Sequence, residues 1–310
     1  MNKKIIISLA LFALISFSAL QNHVYAQTPT ATVSAQTQPT ILPPLFPTTT
    51  PPQSALSWQI LQQFDDLAIP ATSSATASAT ELVPPFVTEY CLDVPVIMYH
   101  HIEPMAIATQ LGHPQLTVDN MVFEEQVRYL IQHNYHIISA DDLVTALKMQ
   151  HTVPEKSVLI TIDDGYIDNY SYAFMIAKKY KVVMNFMIPS GLIGQPDYMT
   201  WDHLKEMAAS PYARIYNHTT SHAALGLIDK EKIVQEVTTA NQQFTTNLGL
   251  TTTIVAYPYG SYNDLAVQTL KELGTTAAFS TDPGRNECTS NIMQLPRVRV
   301  GNSSISEYGF

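Results

Sequence analysis

Apolar and polar positions follow two alternating periods from about residue 88 to the C terminus. Short apolar runs of strand type are followed by segments in which apolar residues recur every three or four positions, as on one face of an amphipathic helix. The predicted strands are 94–102, 135–139, 158–164, 182–189, 214–222, 252–260, 276–281 and 295–300. The predicted helices are 120–134 (apolar face Phe123, Val127, Leu130 and Ile131), 140–149, 170–180, 200–210, 229–248 and 263–274. This alternation predicts an α/β fold with a parallel sheet and outer helices, either a barrel or an open doubly wound sheet.

Polar side chains gather where several predicted strands end. The clusters are His100 with His101, Asp163 with Asp164, His218 with His222, and the segment YPYG at 257–260. Because the carboxyl ends of all strands in a parallel barrel lie on one face, these clusters are expected to meet there. Their convergence is a stronger signal of a site than any one cluster alone.

The first 87 residues do not share this pattern. Residues 1–26 join a basic start, MNKK, to an apolar stretch and the small-residue cleavage site VYA, which predicts a signal peptide. An uncleaved membrane anchor is the alternative. Residues 27–87, rich in Thr, Pro, Ser and Ala, are interpreted as an extended linker. Within it, ALSWQILQQFDDLA has helical spacing, typical of a short docking helix or of a transient helix in a tether. The folded domain is expected at 88–310, in a secreted or envelope protein.

Charge and cysteine content narrow the class of protein. The formal net charge of -10, with no basic patch, argues against nucleic-acid binding and against electrostatic adhesion to anionic polymers. Cys91 and Cys288, the two cysteines of the chain, suit one disulfide in an oxidising compartment rather than a cysteine metal site.

Asp163 and Asp164 follow a buried apolar strand directly. Adjacent carboxylates repel each other and resist desolvation, so a bound cation or a shared proton would relieve the conflict. The alternative is a strand-to-helix turn in which Asp164 or a neighbour caps the next helix.

His218 and His222 lie four residues apart, and on a helical turn they would face the same way. Together with a carboxylate of the Asp pair they would offer a metal two nitrogens and one oxygen, leaving positions open for catalysis. Zinc is the expected divalent ion, with Co²⁺, Ni²⁺ or iron as alternatives that geometry rather than sequence would select.

Three segments, TIDDG, HTTSH and YPYG, stand in the order of the signature blocks of the polysaccharide deacetylase family, the NodB-homology or carbohydrate esterase 4 group. The chain resembles this family over roughly residues 92–300, and VPVIMYHHI resembles its branch acting on poly-N-acetylglucosamine. The resemblance implies a distorted (β/α)7-like barrel, the NodB-homology fold. It also implies metal-dependent removal of N-acetyl or O-acetyl groups from a polysaccharide.

The resemblance also implies roles for single residues. Asp163 matches the catalytic base, and the metal ligands match Asp164, His218 and His222. Tyr259 matches the residue whose backbone N–H helps to bind the oxyanion. Its neighbours Pro258 and Gly260 are predicted to contact substrate, as is Trp201, for which a core or helix-start position is an equal alternative.

The chain departs from the family pattern in two places, which leaves the general acid open. Ala256 and Tyr257 stand where many members have an arginine, and Arg297 stands where many have a late histidine that acts as the acid. In the poly-N-acetylglucosamine branch, the histidine after the tyrosine of the first strand takes that role, which points to His100. The alternative is His101, whose side chain should point to the opposite face because successive side chains alternate along a strand. Arg297 is then expected to pair with Asp163 and hold it ionised.

The barrel that the resemblance implies also bears on the two cysteines. Cys91 precedes the first strand and Cys288 the last, and these strands are neighbours in a closed barrel, so a disulfide is predicted. Two unrelated buried thiols are the alternative.

Other residues are interpreted without chemistry. Of Tyr166, Tyr170 and Tyr172, which stand where a groove could form, two are expected to be ordinary packing residues. The remaining histidines, His113, His133, His136, His151 and His203, are expected at the surface or in the core. Two rival functions stay open: an O-acetyl esterase acting on xylan or another glycan, and an inactive sugar-binding module of the envelope. The intact Asp-His-His set disfavours the inactive module.

Overall fold

The structure is a computed structural model that describes residues 89–310. The predicted signal peptide at 1–26, the linker at 27–87 and the helical pattern around Leu56 lie outside the described residues. Among the described helices, none combines the length and the apolar character that a membrane span requires.

Twelve strands and seven α-helices make up the described part of the chain. The strands are β1 Cys91–Asp93, β2 Val96–Tyr99, β3 His101–Glu103, β4 Thr117–Asp119, β5 His136–Ile137, β6 Ser157–Asp163, β7 Met184–Ile188, β8 Ala213–Asn217, β9 Ile254–Ala256, β10 Ala277–Pro283, β11 Asn286–Cys288 and β12 Leu295–Arg299. The helices are α1 Met105–Leu111, α2 Asn120–Gln132, α3 Ala140–Met149, α4 Met175–Tyr180, α5 Trp201–Ala208, α6 Lys230–Leu248 and α7 Asp264–Glu272.

Seven parallel strands close into a barrel in the order β2, β12, β10, β9, β8, β7, β6, and β6 pairs with β2 again. The strands read as nearly continuous apolar runs because the helices cover them outside while side chains fill the inside. In β6 all seven residues are buried. The predicted barrel is confirmed, and the open doubly wound sheet is excluded. The short strand β5 adds to the outside edge of β6.

The predicted helix 120–134 is present as α2, but one residue of its predicted apolar face is wrong. Phe123, Val127 and Leu130 are fully buried, whereas Ile131 is 37% exposed. Gln126 is buried in its place, accepting a hydrogen bond of 2.8 Å from the Tyr99 hydroxyl and donating to two backbone carbonyls of the C-terminal segment. A satisfied amide can therefore occupy a core position that hydropathy assigns to an aliphatic residue.

The structure also differs from the predicted elements at two points that shape the site. The run 94–102 is divided at His100, so that β2 ends at Tyr99 and β3 begins at His101. The predicted helix 170–180 begins as a π-helix, Asn169–Phe174, and becomes regular only in α4. Single π-turns are frequent at functional sites because they re-aim side chains within a helix.

Cys91 and Cys288 form a disulfide, as predicted. They lie opposite each other in the antiparallel pair of β1 and β11. Each of these strands leads into a barrel strand, β2 or β12, and those two strands are neighbours. On the chain-entropy account, closing a loop of 197 residues stabilises the fold by about 5 kcal/mol.

Glu287, next to the disulfide in β11, is a buried acid without a partner. It is 0% exposed, and neither carboxyl oxygen has a hydrogen-bond partner within residues 89–310. Burial raises its pKa to about 9. The native state therefore keeps a proton that the unfolded chain loses above its ordinary pKa of about 4.3, and stability must fall as the pH rises between these two values.

The substitution Glu287→Gln removes this ionisation and is expected to stabilise the protein at pH 8 by about 1–3 kcal/mol. At pH 5 the difference should be much smaller, because this pH lies just above the unfolded pKa and little of the free-energy cost of retaining the proton has yet accumulated. Urea unfolding of both proteins at the two pH values measures the effect. Glu231→Gln, at an exposed position of α6, is the matched control and should show no pH-dependent gain. A gain of equal size at pH 5 and pH 8 would assign the effect to packing instead.

Candidate active site

The predicted site residues converge at the carboxyl ends of the barrel strands. Asp163 is the last residue of β6, and Asp164 begins the turn that follows it. His218 comes directly after β8, and the segment 257–260 comes directly after β9. Parallel strands with similar register place these positions on one rim, so the fold itself assembles the cluster.

Asp164, His218 and His222 point their ligand atoms at a common place. The Oδ1 atom of Asp164 lies 3.3 Å from His218 Nε2 and 3.0 Å from His222 Nε2. Asp164 and His218 are buried and His222 is half-buried, so the cluster opens to solvent on the His222 side. These three residues are the predicted metal ligands, and the structure brings all of them together. They are here called the metal cluster, after this predicted role.

The hydrogen bonding of this cluster fits a bound cation. The Nδ1 atom of His218 lies 2.8 Å from the Ala256 carbonyl, so the neutral ring carries its proton there and turns an Nε2 lone pair towards Asp164. Asp164 Oδ1 is buried and has no aligned hydrogen bond among the described residues. Two acceptors that face each other repel, and a cation between them removes the repulsion. Separations near 3.0–3.3 Å match two ligands of one divalent ion, each bound at about 2.0–2.2 Å.

The electrostatics of the cluster point the same way. Burial alone would raise the pKa of Asp164, but the two imidazoles hold this pKa well below its usual range. Burial alone would lower the pKa of His218, yet the neighbouring Asp164 and Asp163 raise it. The pocket therefore favours an added positive charge despite its burial.

Three site residues have left-handed backbone conformations that side-chain-bearing residues rarely adopt: Asp164 with φ 77°, His222 with φ 60° and Tyr259 with φ 59°. Such strain costs of order 1–3 kcal/mol for each residue and concentrates at functional sites.

The predicted helical turn between His218 and His222 is wrong, because the segment between them is an irregular loop. The loop's conformation, not helical periodicity, turns both rings towards Asp164.

The loop that carries His222 is anchored by Glu236 of α6. The Glu236 carboxylate accepts hydrogen bonds from the backbone N–H groups of Thr220 (2.9 Å) and Ser221 (2.8 Å) and from the Ser221 hydroxyl (2.7 Å). The Thr220 hydroxyl donates to the Glu236 carbonyl at 2.7 Å. Sequence patterns did not reveal this residue, because its partners lie 15 and 16 positions away in a separate element.

Replacing this anchor should loosen the metal cluster without touching a ligand. Glu236→Ala is expected to weaken Zn²⁺ binding about 10-fold or more, at the lower end of the range of about 10–100-fold for partners that orient ligands. Competition with a chromophoric chelator measures the change. Glu231→Ala, in the first turn of the same helix, is the matched control. Equal zinc affinity in Glu236→Ala and wild type would show that the loop holds its shape without this carboxylate.

Arg297 lies inside the barrel and binds Asp163 through two parallel hydrogen bonds. Its Nη1 donates to Asp163 Oδ1 at 2.8 Å and its Nη2 to Oδ2 at 2.7 Å, and both side chains are buried. Its Nε donates to the Ser280 carbonyl at 2.7 Å, which fixes the guanidinium plane. Burial alone would raise the pKa of Asp163, but Arg297 outweighs it and lowers the pKa. The arginine therefore keeps Asp163 ionised beside the metal cluster.

His100 and His101 face different surroundings. His100 lies near enough to the Asp pair for both charges to act on it. Burial nevertheless lowers its pKa overall, against the raising effect of Asp163 and Asp164. Its ring makes no hydrogen bond within residues 89–310, and its carbonyl accepts one of 2.7 Å from Asn169. His101 instead binds Asp168 through Nδ1 at 2.7 Å, is buried, and is stacked on Tyr166.

His101, Glu103 and His113 form a second group of potential ligands. The rings of His101 and His113 are stacked face to face, 3.9 Å apart with an interplanar angle of 13°. His113 Nε2 already lies 2.5 Å from Glu103 Oε1. Stacked rings direct their lone pairs side by side rather than at one point, so this group fits an ion less well than the Asp164 cluster.

The segment 257–260 places Tyr259 next to the metal cluster. Its ring packs edge-on against His222 with centroids 4.5 Å apart, and its side chain is 71% exposed. Gly260 has a packing role, since a Cβ at this position would come within 1.9 Å of the Thr281 hydroxyl. Pro258 is buried and begins the turn.

Trp201 is not brought to the metal cluster. It begins α5 and packs on the core, with its ring 6.3 Å from that of Phe244. Its predicted contact with a sugar stays a prediction, and its alternative position at a helix start is confirmed.

The sequence matches a known family. A profile described as polysaccharide deacetylase matches residues 150–278, which include the Asp pair, both ligand histidines and the segment 257–260. The barrel and the order of the site residues agree with this match. Over these residues the chain is similar to polysaccharide deacetylases. Over 213 residues it is 29% identical to the putative polysaccharide deacetylase YxkH of Bacillus subtilis, a similarity that covers 69% of this chain and 73% of that protein.

Further deacetylases are similar to this chain in sequence or structure. The poly-beta-1,6-N-acetyl-D-glucosamine N-deacetylase of Staphylococcus aureus strain MRSA252 is 25% identical over 201 residues, 61% of this chain and 69% of that one. The Streptococcus pyogenes deacetylase PplD, solved in complex with acetate, superposes with a TM-score of 0.65 at 26% identity, covering 69% of this chain and 96% of that one. IcaB from Ammonifex degensii, with a TM-score of 0.59 at 24% identity over 67% of this chain and 91% of that one, shares the fold.

Proposed function

We propose that this deacetylase removes N-acetyl groups from polysaccharides that contain N-acetylglucosamine and that it requires one divalent metal ion. The observation that carries the proposal is the convergence of Asp164, His218 and His222 beside an Asp163 held ionised by Arg297. The similarity to a poly-beta-1,6-N-acetyl-D-glucosamine N-deacetylase supports an N-acetylated substrate.

The ligand set leaves coordination positions open for water and substrate, as catalytic metal sites do. Zinc is the ion we propose, with Co²⁺ and Ni²⁺ as substitutes of similar ligand preference. When bound, the ion would polarise the acetyl carbonyl and lower the pKa of a water molecule.

The chain's own residues would then handle the protons. Asp163, ionised and fixed by Arg297, would accept the proton of the attacking water, since each carboxylate oxygen has a second lone pair beyond its bond to the guanidinium. The backbone N–H of Tyr259 would donate a hydrogen bond to the oxyanion that forms from the acetyl carbonyl oxygen. Because an amine leaves only once it is protonated, a donor is required. We assign this role to His100, whose ring makes no hydrogen bond among residues 89–310 and on which the charges of both aspartates act.

We propose that the protein acts outside the cytoplasm, in the envelope or after secretion. The support is the disulfide between Cys91 and Cys288, a bond that persists in oxidising compartments, and the signal-like residues 1–26.

Acetate release from a substrate panel tests the proposal. The panel contains chitin oligomers, oligomers of β-1,6-linked N-acetylglucosamine, peptidoglycan and acetyl-xylan, each assayed with zinc-loaded protein. We expect acetate from at least one N-acetylglucosamine substrate, and none above background from Asp163→Asn, which keeps the metal ligands but removes the base. Release from acetyl-xylan alone would replace the amide proposal by an O-acetyl esterase. Metal binding without release from any substrate would favour an inactive sugar-binding module.

A further inference from the structure

A second concave feature lies beside the metal cluster. A cavity of about 310 Å³, here called the Tyr198 cavity, is lined by Glu103, His113, Tyr166, Asp168, Asp197 and Tyr198. Its lining includes none of Asp164, His218 and His222, and the proposed reaction assigns it no role. Its volume falls at the lower end of the range of ligand pockets, about 300–1,000 Å³.

The cavity wall is fastened to the turn that carries the metal ligand Asp164. The Ile167 N–H donates to the Asp197 carbonyl at 2.9 Å, and the Met199 N–H donates to the Gly165 carbonyl at 3.0 Å. These bonds form a short antiparallel bridge that holds Tyr166 opposite Tyr198. Tyr166 follows Asp164 by two positions, so this wall of the cavity continues directly from the turn at Asp164. A polymer with one unit at the metal cluster would therefore have a neighbouring unit within reach of the cavity.

The apolar surfaces of the cavity suit a sugar ring. Tyr166 is stacked on His101 at 3.7 Å and lies 5.2 Å from Tyr198, and both tyrosines are half-buried where they line the cavity. At the rim, Leu111 is 60% exposed and Leu116 is 38% exposed. Aromatic and aliphatic walls with a few polar groups are the usual lining of small-ligand sites, and exposed apolar residues grouped at one place mark binding surfaces.

The charges of the cavity select the kind of sugar. Of its three carboxylates, Asp168 is matched by His101 and Glu103 by His113, whereas the exposed Asp197 has no side-chain hydrogen bond or ion pair within residues 89–310. No lysine or arginine belongs to the lining in this described part of the chain. Asp197 therefore offers an uncompensated negative charge next to an aromatic face, a combination that attracts an ammonium group.

From this geometry we infer that the Tyr198 cavity binds a deacetylated, positively charged glucosamine unit next to the N-acetylglucosamine at the metal cluster. The inference rests on the proposed function, and it makes Asp197 a specificity-determining residue. A glucosamine unit that the reaction has already produced would then strengthen binding of the polysaccharide and favour deacetylation of the neighbouring N-acetylglucosamine unit. Partly deacetylated polymers would therefore be better substrates than fully acetylated ones.

Binding without turnover tests the cavity itself. A glucosamine tetramer and an N-acetylglucosamine tetramer are titrated calorimetrically into metal-free wild type, Asp197→Asn and Tyr198→Ala. We expect Asp197→Asn to weaken binding of the glucosamine tetramer about 2- to 5-fold, the size of a single exposed charge pair, and to leave the acetylated tetramer unchanged. Tyr198→Ala should weaken both. Added salt should shrink the wild-type preference, since exposed charges are screened.

Turnover gives the second readout. For a tetramer with one glucosamine next to N-acetylglucosamine, we expect wild type to show a lower KM than for the fully acetylated tetramer, and Asp197→Asn to lose this advantage at unchanged kcat. Glu231→Gln, which removes an exposed charge outside the cavity, should keep it. Equal preference in wild type and Asp197→Asn, in binding and in KM, would overturn the inference. Absence of acetate release from both tetramers would count against the proposed deacetylation, and the calorimetric preference would then decide the cavity alone.

Discussion

His222→Ala is expected to lose bound zinc and to release no acetate above background. The substitution removes one of the three predicted ligands. It also exposes the cluster further to solvent, because the half-buried His222 forms its outer side. Two remaining ligands hold a divalent ion too weakly to keep it through gel filtration. Elemental analysis of the purified variant and an acetate assay on the same sample give both results.

His151→Ala is the matched control, because His151 is an exposed histidine with no place in the site. It should retain the zinc content and the activity of wild type. A folded His222→Ala protein that retains stoichiometric zinc would contradict the ligand assignment. His218→Ala should behave like His222→Ala, with an additional loss of stability because His218 is buried against the Ala256 carbonyl.

His100→Asn is expected to lower turnover of N-acetyl substrates by about 10²-fold or more, the usual effect of losing a general acid, while zinc stays bound. An activated ester needs no protonation of its leaving group, so its hydrolysis should fall far less. The ratio of amide to ester turnover is therefore the quantity to measure, since a general loss of structure would lower both rates together.

His101→Asn separates the two neighbouring histidines. Because His101 is buried and paired with Asp168, its substitution is expected to destabilise the fold while leaving the amide-to-ester ratio unchanged. A collapse of the ratio in His101→Asn, or equal losses on both substrate types in His100→Asn, would remove His100 from the role of acid.

The sequence predicted a parallel α/β fold because the physical signal for it is local, whereas the choice of a barrel over an open sheet came from the family resemblance. Strands such as β6 are apolar along their whole length, as expected for strands buried on both faces, and they alternate with amphipathic helices. The same order placed Asp163, Asp164 and His218 at strand ends on one rim. The pairing of Arg297 with Asp163 was also predicted, because Arg297 was expected to take the role of the arginine that is missing before Pro258.

The parts that sequence reasoning missed depend on contacts between distant residues or on backbone shape. Nothing near Glu236 indicates that its carboxylate anchors the loop before His222, and nothing near Asp168 indicates that it holds His101. The positive φ of Asp164 and of His222 arises from the turn and loop they occupy. A helical spacing rule therefore gave the wrong local structure for His222, although it selected a residue that the structure brings to Asp164.

We expect amide hydrolysis to depend on one metal ion held by Asp164, His218 and His222. All metal is removed from the wild-type protein with a chelator and Zn²⁺ is returned in known amounts while acetate release from an N-acetylglucosamine oligomer is measured. The metal-free protein should release no acetate, and the rate should rise in proportion to zinc up to one equivalent per chain and then level off. Undiminished acetate release by the metal-free protein would show that hydrolysis does not need the ion.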